Sequence, residues 1–340
     1  MQRNFILTDV MRTGFHHDLE QFIDMHTMPD QSIEHTGDWY TLHDFDFDSY
    51  DRKLAIIDIR QGNYHLKDSK EFMDDLRRRC DLLHSQGFKF VKSTPWECNE
   101  TFQSKDGHGW PKLDIDHIRW TGGVSWFWFF MYRKHNNAQI TAKHDTKKFD
   151  FLFLNKTNKV HRTKLINAFD ENFFNESLYS NWPNKKLPQE YEQHFPYPLR
   201  GKDQDIVIQQ YSDTKFSLLS ESSVNNNEVF ITERLWKSVI AEHPFVVHGN
   251  HLYLQKLREM GFKTFSKYFD ESYDLESDNE IRIKKIVDTC IDLKKSNWKD
   301  LYLQTQDLRK HNKELFFNKE KLGEQINSTL NLFFEFVDGS

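Results

Sequence analysis

The chain has 340 residues, of which 37% are hydrophobic and 15% aromatic, with 30 phenylalanines. That length sets an expectation of two domains, and that aromatic content excludes a largely disordered chain, because it can bury large cores. A formal net charge of −6 without a long basic tract argues against bulk attraction to nucleic acid.

Cys80, Cys98 and Cys290 are far apart and form no CxxC pair. They suit a reducing compartment and argue against a disulfide framework or a zinc–thiolate site. The opening segment MQRNFILTDVMRTG lacks the long apolar region of a signal peptide. The most apolar run, Val124 to Tyr132, is shorter than the roughly 20 residues that cross a bilayer. It reads as a buried aromatic strand, with a lipid-facing or acceptor-facing patch as the alternative. A cytoplasmic protein without a transmembrane segment is expected.

In chain order, Phe5 to Val10 is a short apolar strand and Phe15 to His26 has helical spacing. Trp39 to Leu42 is a further strand candidate, and Lys53 to Ile59 reads as a strand covered on both faces. Ser69 to Ser85 is a helix with apolar positions Phe72, Leu76, Leu82 and Leu83, ended by Gly87. A strand follows at Phe88 to Val91, then an irregular loop from Thr94 to Asp116. Arg133 to Lys148 is polar and marks the domain boundary. Asp150 to Leu154 starts the alternation again, followed by a helix from Val160 to Phe169 and a weaker strand at Leu178 to Trp182. Asn184 to Gln204 reads as a surface excursion, and Ile206 to Gln210 stays unassigned. Strands at Phe216 to Leu219, Val229 to Ile231 and Phe245 to Val247 alternate with helices at Glu233 to Glu242 and His251 to Met260, the latter closed by Gly261. A short strand at Lys263 to Phe265, helical spacing from Asn279 onward and a last apolar helix at Leu330 to Val337 complete the reading.

This alternation predicts an α/β fold with parallel sheets. The expected organisation is an N-terminal α/β domain over 1–140, a C-terminal α/β domain over 149–285, and C-terminal helices over 286–340. Ligands in such sheets bind beyond the carboxyl ends of the strands.

The stretch Lys215 to Asn250 sets charged residues tightly against apolar runs. A helix entered at Thr232 has unpaired first-turn N–H groups and a positive dipole end, which suit a phosphate. Thr232 is a sound N-cap, and Arg234 and Lys237 add positive charge on one face. Glu233 suits ribose hydroxyls, and Glu221 suits ribose or the sugar. Gly249 and Asn250 end the next strand, where a turn lets a ligand approach the backbone. Ordinary helix capping and solvated surface charge account for the same residues without a ligand.

Lys215-Phe216, Glu221-Ser222, Ile231 to Lys237 and Pro244 to Gly249 together resemble the donor-site motif of the α-1,3-fucosyltransferases. Phe151 to Asn155, followed by His161-Arg162, is similar to the family strand whose next helix carries a diphosphate-binding arginine. The resemblance implies a GT-B architecture, two Rossmann-like domains facing across a cleft, and a nucleotide-sugar donor as co-substrate. It implies Arg162 at the diphosphate, Glu221 near the sugar and Glu233 at the ribose, with Arg234 where the family has lysine, a change that is not neutral at a phosphate. The matched segments cover about a third of the chain, all in its second half, and the segment after Gly249 departs from the usual fucosyltransferase continuation. It is closer to a divergent group in viruses and microbes.

An inverting transfer needs a base for the acceptor hydroxyl. Glu97, Glu100 and Asp58 are the candidates, with His108 beside them. Asp114 and Asp116 match a metal-binding Asp-x-Asp spacing, as do Asp44, Asp46 and Asp48, but no metal is expected to be required. There is no HExxH, P-loop or GxGxxG motif. Tyr268 or Phe269 is a candidate for stacking on the base, with a capped turn as the equal alternative. The expected activity is transfer of a sugar, fucose in the family it resembles, from a GDP- or UDP-sugar to a hydroxyl of a glycan or glycoconjugate, without metal. The alternatives are a non-catalytic glycan- or protein-binding module on the same fold, for which Trp120, Trp126 and Trp128 would stack on sugar, and transfer onto nucleic acid, which the acidic balance disfavours.

Overall fold

The apolar runs form parallel strands, as burial on both faces requires. The computed structural model describes residues 78, 81–85, 87, 125–136, 140, 142–143, 146–155, 159–181, 186–191, 205–222, 224 and 229–325, together with the strand segments 3–9, 31–35, 52–58, 89–94 and 117–121. The chain divides into two compact units, residues 1–123 with 323–340, and residues 124–322.

The first unit holds a five-stranded parallel sheet of β1 (Arg3–Asp9), β2 (Gln31–His35), β3 (Arg52–Asp58), β4 (Lys89–Thr94) and β5 (His117–Thr121). Its order is β2-β1-β3-β4-β5, a doubly wound arrangement whose strand order reverses between β1 and β3. Strands β2 and β5 were not expected from the sequence. Residues 81–85 are helical, with Leu83 buried, but Leu82, expected on the apolar face, is 39% exposed. Gly87 ends this segment with φ +79°, a conformation that favours glycine. The helix at 15–26, the strand at 39–42, most of the loop at 94–116 and the helix at 330–337 lie outside the described residues.

The second unit opens with α1 (Ser125–His135). This corrects the expectation of an aromatic strand at Val124 to Tyr132. Trp128, Phe129, Met131 and His135 are buried, a spacing of three and four that belongs to a helix. A continuous apolar run carries no periodicity to tell the two apart, and packing decided the matter. The Trp128 ring lies 5.6 Å from Trp236 and 5.0 Å from Phe262, and its Nε1 donates to the Phe316 carbonyl at 2.8 Å. The division at 123/124 thus assigns α1 to the second unit.

The second sheet comprises β6 (Phe149–Asn155), β7 (Leu178–Asn181), β8 (Thr214–Ser220) and β9 (Phe245–His248), all parallel, in the order β7-β6-β8-β9. Its strand order reverses between β6 and β8. The connecting helices are α2 (Val160–Asn167), α3 (Ile208–Asp213), α4 (Glu233–Ile240) and α5 (Tyr253–Glu259). The expected strands at 229–231 and 263–265 are not strands, and the helix Ile208–Asp213 takes in the second half of the unassigned Ile206 to Gln210. Gly261 ends α5 with φ +92°. On one face of the sheet, Phe151 packs on Phe216 and Phe173 while Phe153 stacks on Phe174 at 5.6 Å. On the other, Leu152 joins Tyr191, Tyr211 and Leu178. The chain continues in α6 (Asn279–Lys295), α7 (Trp298–Gln304) and α8 (Gln306–Phe316). Asp278 caps α6 by accepting from Glu280 and Ile281 N–H, and α8 closes over Trp128 and Trp236 through Phe316. Among the described residues, no helix is long and apolar enough to cross a membrane.

Candidate functional site

Strand order reverses in the second sheet between β6 and β8, and in α/β sheets a ligand crevice is expected at such a point, outside the carboxyl ends of the strands. The tripeptide Ser220-Glu221-Ser222 leaves β8 there, and three cations from two helix starts converge on it. Arg162, from the first turn of α2, donates from Nη2 to the Glu221 carbonyl at 3.2 Å and to the Ser220 carbonyl at 3.4 Å. Lys159, just ahead of α2, donates to the Ser222 carbonyl at 2.7 Å. Arg234, in the first turn of α4, donates to the Ser222 hydroxyl at 3.2 Å. His161 lies 2.9 Å from the Glu221 carbonyl.

These cations raise one another's energy. Burial, with the charges of Arg162 and Arg234, pushes Lys159 down to about 8. Burial and Arg234 push Arg162, which has no exposed surface, down to about 9. Burial also pushes His161 down to about 4, so it is neutral near pH 7. A buried group of like charges is stable only while something else repays it, and such sites are functional candidates.

The carboxylates nearby do not offset the cluster evenly. Glu221 is fully buried and accepts from Thr232 N–H at 3.1 Å, Thr232 hydroxyl at 2.7 Å and Tyr253 hydroxyl at 2.7 Å. It stands at the expected edge of the sheet with its carboxylate turned inward, bracing β8 against α4 and α5. Burial raises its pKa, against Arg234 and these hydrogen bonds. Glu233, the first residue of α4, is partly buried with Oε1 3.9 Å from Arg234 Nη1.

The two helix starts differ. Thr232 caps α4, accepting from Arg234 N–H, as its sequence position predicted. The N-cap position of α2 is Lys159, which makes no capping bond, and no acidic residue lies in the first turn. That end of α2 therefore presents N–H groups and cations together, a combination suited to an anion.

Other expected positions fall elsewhere. Lys237 lies one turn further along α4, partly buried. The space before Gly249 is filled: a Cβ there would lie 2.5 Å from Tyr253 Cδ2, so the glycine admits the tyrosine that holds Glu221. Asn250 is buried and accepts from Phe230 N–H at 3.4 Å. Tyr268 follows Phe265 in a turn, and Phe265 packs on Phe245, the residue that opens β9, whereas the crevice is at the other end of that strand. Phe269 stacks on Phe265 at 5.3 Å. In the first unit, Asp58 closes β3 at the carboxyl edge of its sheet, beside the β1 strand that ends in Asp9. Glu97, Glu100, His108 and Asp114 lie outside the described residues.

No protein-family model matches this chain, and no curated protein matches it significantly. The site therefore stands on its geometry. Lys159 and Tyr253 were missed in the sequence. A lysine immediately before an α/β-sheet helix with no acid in its first turn was the available signal for the former. Tyr253 had none, because its partner Glu221 is 32 residues away. Among the described residues, no group of three or more His, Cys, Asp or Glu is placed to hold a metal ion.

Proposed function

We propose that this crevice binds the diphosphate of a nucleoside-diphosphate sugar, and that the protein is a glycosyltransferase of the two-domain GT-B type. The convergence of Lys159, Arg162 and Arg234 on one tripeptide at the strand-order reversal carries this reading. In the reaction, the acceptor hydroxyl loses its proton to a base and attacks the anomeric carbon as the bond to the diphosphate breaks. The negative charge gathering on the departing diphosphate is met by the two guanidiniums, the ammonium and the start of α2. Glu233, beside Arg234, is placed to accept from ribose hydroxyls. Asp58, Glu97 and Glu100 are the candidates for that base. The resemblance to the α-1,3-fucosyltransferases makes GDP-fucose the first donor to try and a glycan hydroxyl the acceptor, in a cytoplasmic setting.

Calorimetry with GDP, UDP, ADP and CMP, together with transfer of a labelled sugar, tests this. One nucleoside diphosphate should bind, at least about tenfold more weakly after Arg162→Ala, the loss of about 1.4 kcal/mol or more expected for a charged hydrogen bond. Affinity should hold up to about pH 8 and fall roughly tenfold per unit above it as Lys159 deprotonates. Failure of all four nucleotides to bind, or an indifferent Arg162→Ala, sinks the reading. Binding without turnover would leave the non-catalytic alternative.

A further inference from the structure

The second sheet ends in a row of polar side chains that diphosphate binding does not use. The last residues of β7, β6, β8 and β9 are Asn181, Asn155, Ser220 and His248. Asn181 is the register partner of Asn155, and His248 that of Ser220. Continuing the β6–β8 register brings Asn155 level with Ser220. The four thus form one rung across the sheet on a single face, the face that carries Phe151 and Phe153 lower down.

Each of the four has a buried side-chain atom without a hydrogen-bond partner: Asn155 Nδ2 and Oδ1, Asn181 Oδ1, Ser220 Oγ and His248 Nδ1. Asn155, Ser220 and His248 are at most 1% exposed. Buried polar atoms are nearly always paired, so five on one rung call for a partner.

The chemistry of the rung narrows what that partner is. His248 Nε2 lies 2.9 Å from Asn279 Oδ1, and Arg282 donates to the same oxygen, so Nε2 carries the proton. Burial holds the ring neutral, pushing it down to about 3, and Nδ1 is therefore a bare acceptor. With both asparagine oxygens, three of the five atoms are acceptors, Ser220 Oγ works either way, and Asn155 Nδ2 alone only donates. A phosphate or carboxylate has no protons for such a row, whereas hydroxyl groups supply both halves of each bond. The rung adjoins the cation cluster, because Arg162 bonds the Ser220 carbonyl and the His161 ring lies 5.9 Å from that of His248.

We propose that Asn181, Asn155, Ser220 and His248 form a subsite for a neutral polyhydroxyl group, the sugar of a ligand whose phosphates lie on Lys159, Arg162 and Arg234. The second half of this statement rests on the diphosphate reading above; the first half does not. The rung is buried, so entry displaces a covering side chain.

The test compares GDP-fucose with GDP, and UDP-glucose with UDP, by calorimetry on the full chain, with free fucose and glucose followed by saturation-transfer NMR. One sugar nucleotide should bind at least about tenfold more tightly than its parent diphosphate. Asn155→Val and Asn181→Ala should each erase that difference and leave the diphosphate affinity unchanged. Neither variant should melt below wild type, since each removes an unpaired polar atom, and Asn181→Ala serves alone should Asn155→Val fail to fold. If no diphosphate binds but a free sugar does, and its signal is lost in the variants, the subsite stands and the diphosphate reading falls. A sugar increment retained in a folded variant, or no response to any sugar, overturns the subsite.

Discussion

The two edges of the second sheet treat buried charge in opposite ways. At the amino edge the buried carboxylates face opposite charges. Asp150 pairs with Lys215 at 2.6 Å and Lys294 at 3.4 Å, and Asp213 pairs with Lys148 and takes the Tyr191 hydroxyl at 2.6 Å. Burial alone would raise the Asp213 carboxyl, but hydrogen bonds from Gln209, Tyr191 and Lys148 outweigh it and hold it below its ordinary value. At the carboxyl edge three cations crowd one tripeptide, and four strand ends keep polar atoms unpaired. The first edge is built for stability. The second forgoes stability in a way that a ligand would restore.

Replacing buried charges separates the two edges most sharply. Asp213→Ala should cost about 3 kcal/mol in urea denaturation, because it strands the buried Tyr191 hydroxyl and removes the hydrogen bond from Gln209. Arg162→Met should leave the unliganded protein as stable as wild type or more so, by relieving repulsion with Arg234. Equal losses at both positions would erase the contrast. Gly249→Ala comes next, at about 2 kcal/mol, since the new Cβ must push the Tyr253 ring away from Glu221; a crystal structure of the variant should show that hydrogen bond lengthened.

Acid sharpens the comparison further. His248 and His161 are neutral in the fold, with their pKa values lowered from 6.5 to about 3 and about 4. Between those values and 6.5 the unfolded chain binds more protons, so stability is fully present above pH 6.5 and is lost as pH falls toward 4. The buried His248 should contribute up to about 1.4 kcal/mol per pH unit in that window. His248→Gln should flatten the slope measured by denaturation from pH 7 to 4.5. Lys164→Ala, which breaks an exposed pair with Glu280, should change stability by less than about 0.5 kcal/mol.

Several elements were legible before the structure. Lys53 to Asp58 of the run expected at Lys53 to Ile59, and the runs Asp150 to Leu154, Phe216 to Leu219 and Phe245 to Val247, fall on parallel strands, because apolar runs of that length suit strands buried on both faces. Thr232 and Gly261 marked helix ends through local chemistry: a hydroxyl for an orphan N–H, and a residue free to take positive φ. Arg162 and Glu221 were singled out, and the fold brings them to one crevice. The inward turn of Glu221 was not legible, since it depends on Tyr253 reaching back from the next helix.

What the sequence by itself determined is local: where the buried strands β3, β6, β8 and β9 run, how α4 begins and α5 stops, and which charges flank them. Period, capping and backbone freedom act over a few residues and need no partner. Tertiary structure alone decided the rest. It made Ser125–His135 a helix, because Trp128 found Trp236 and Phe316 to pack on. It placed β6 beside β8, which set Arg162 on the Glu221 carbonyl 59 residues along the chain and lined up Asn181, Asn155, Ser220 and His248 as one rung. Register between strands is a long-range property, fixed by burial of whole faces, and no window of sequence contains it.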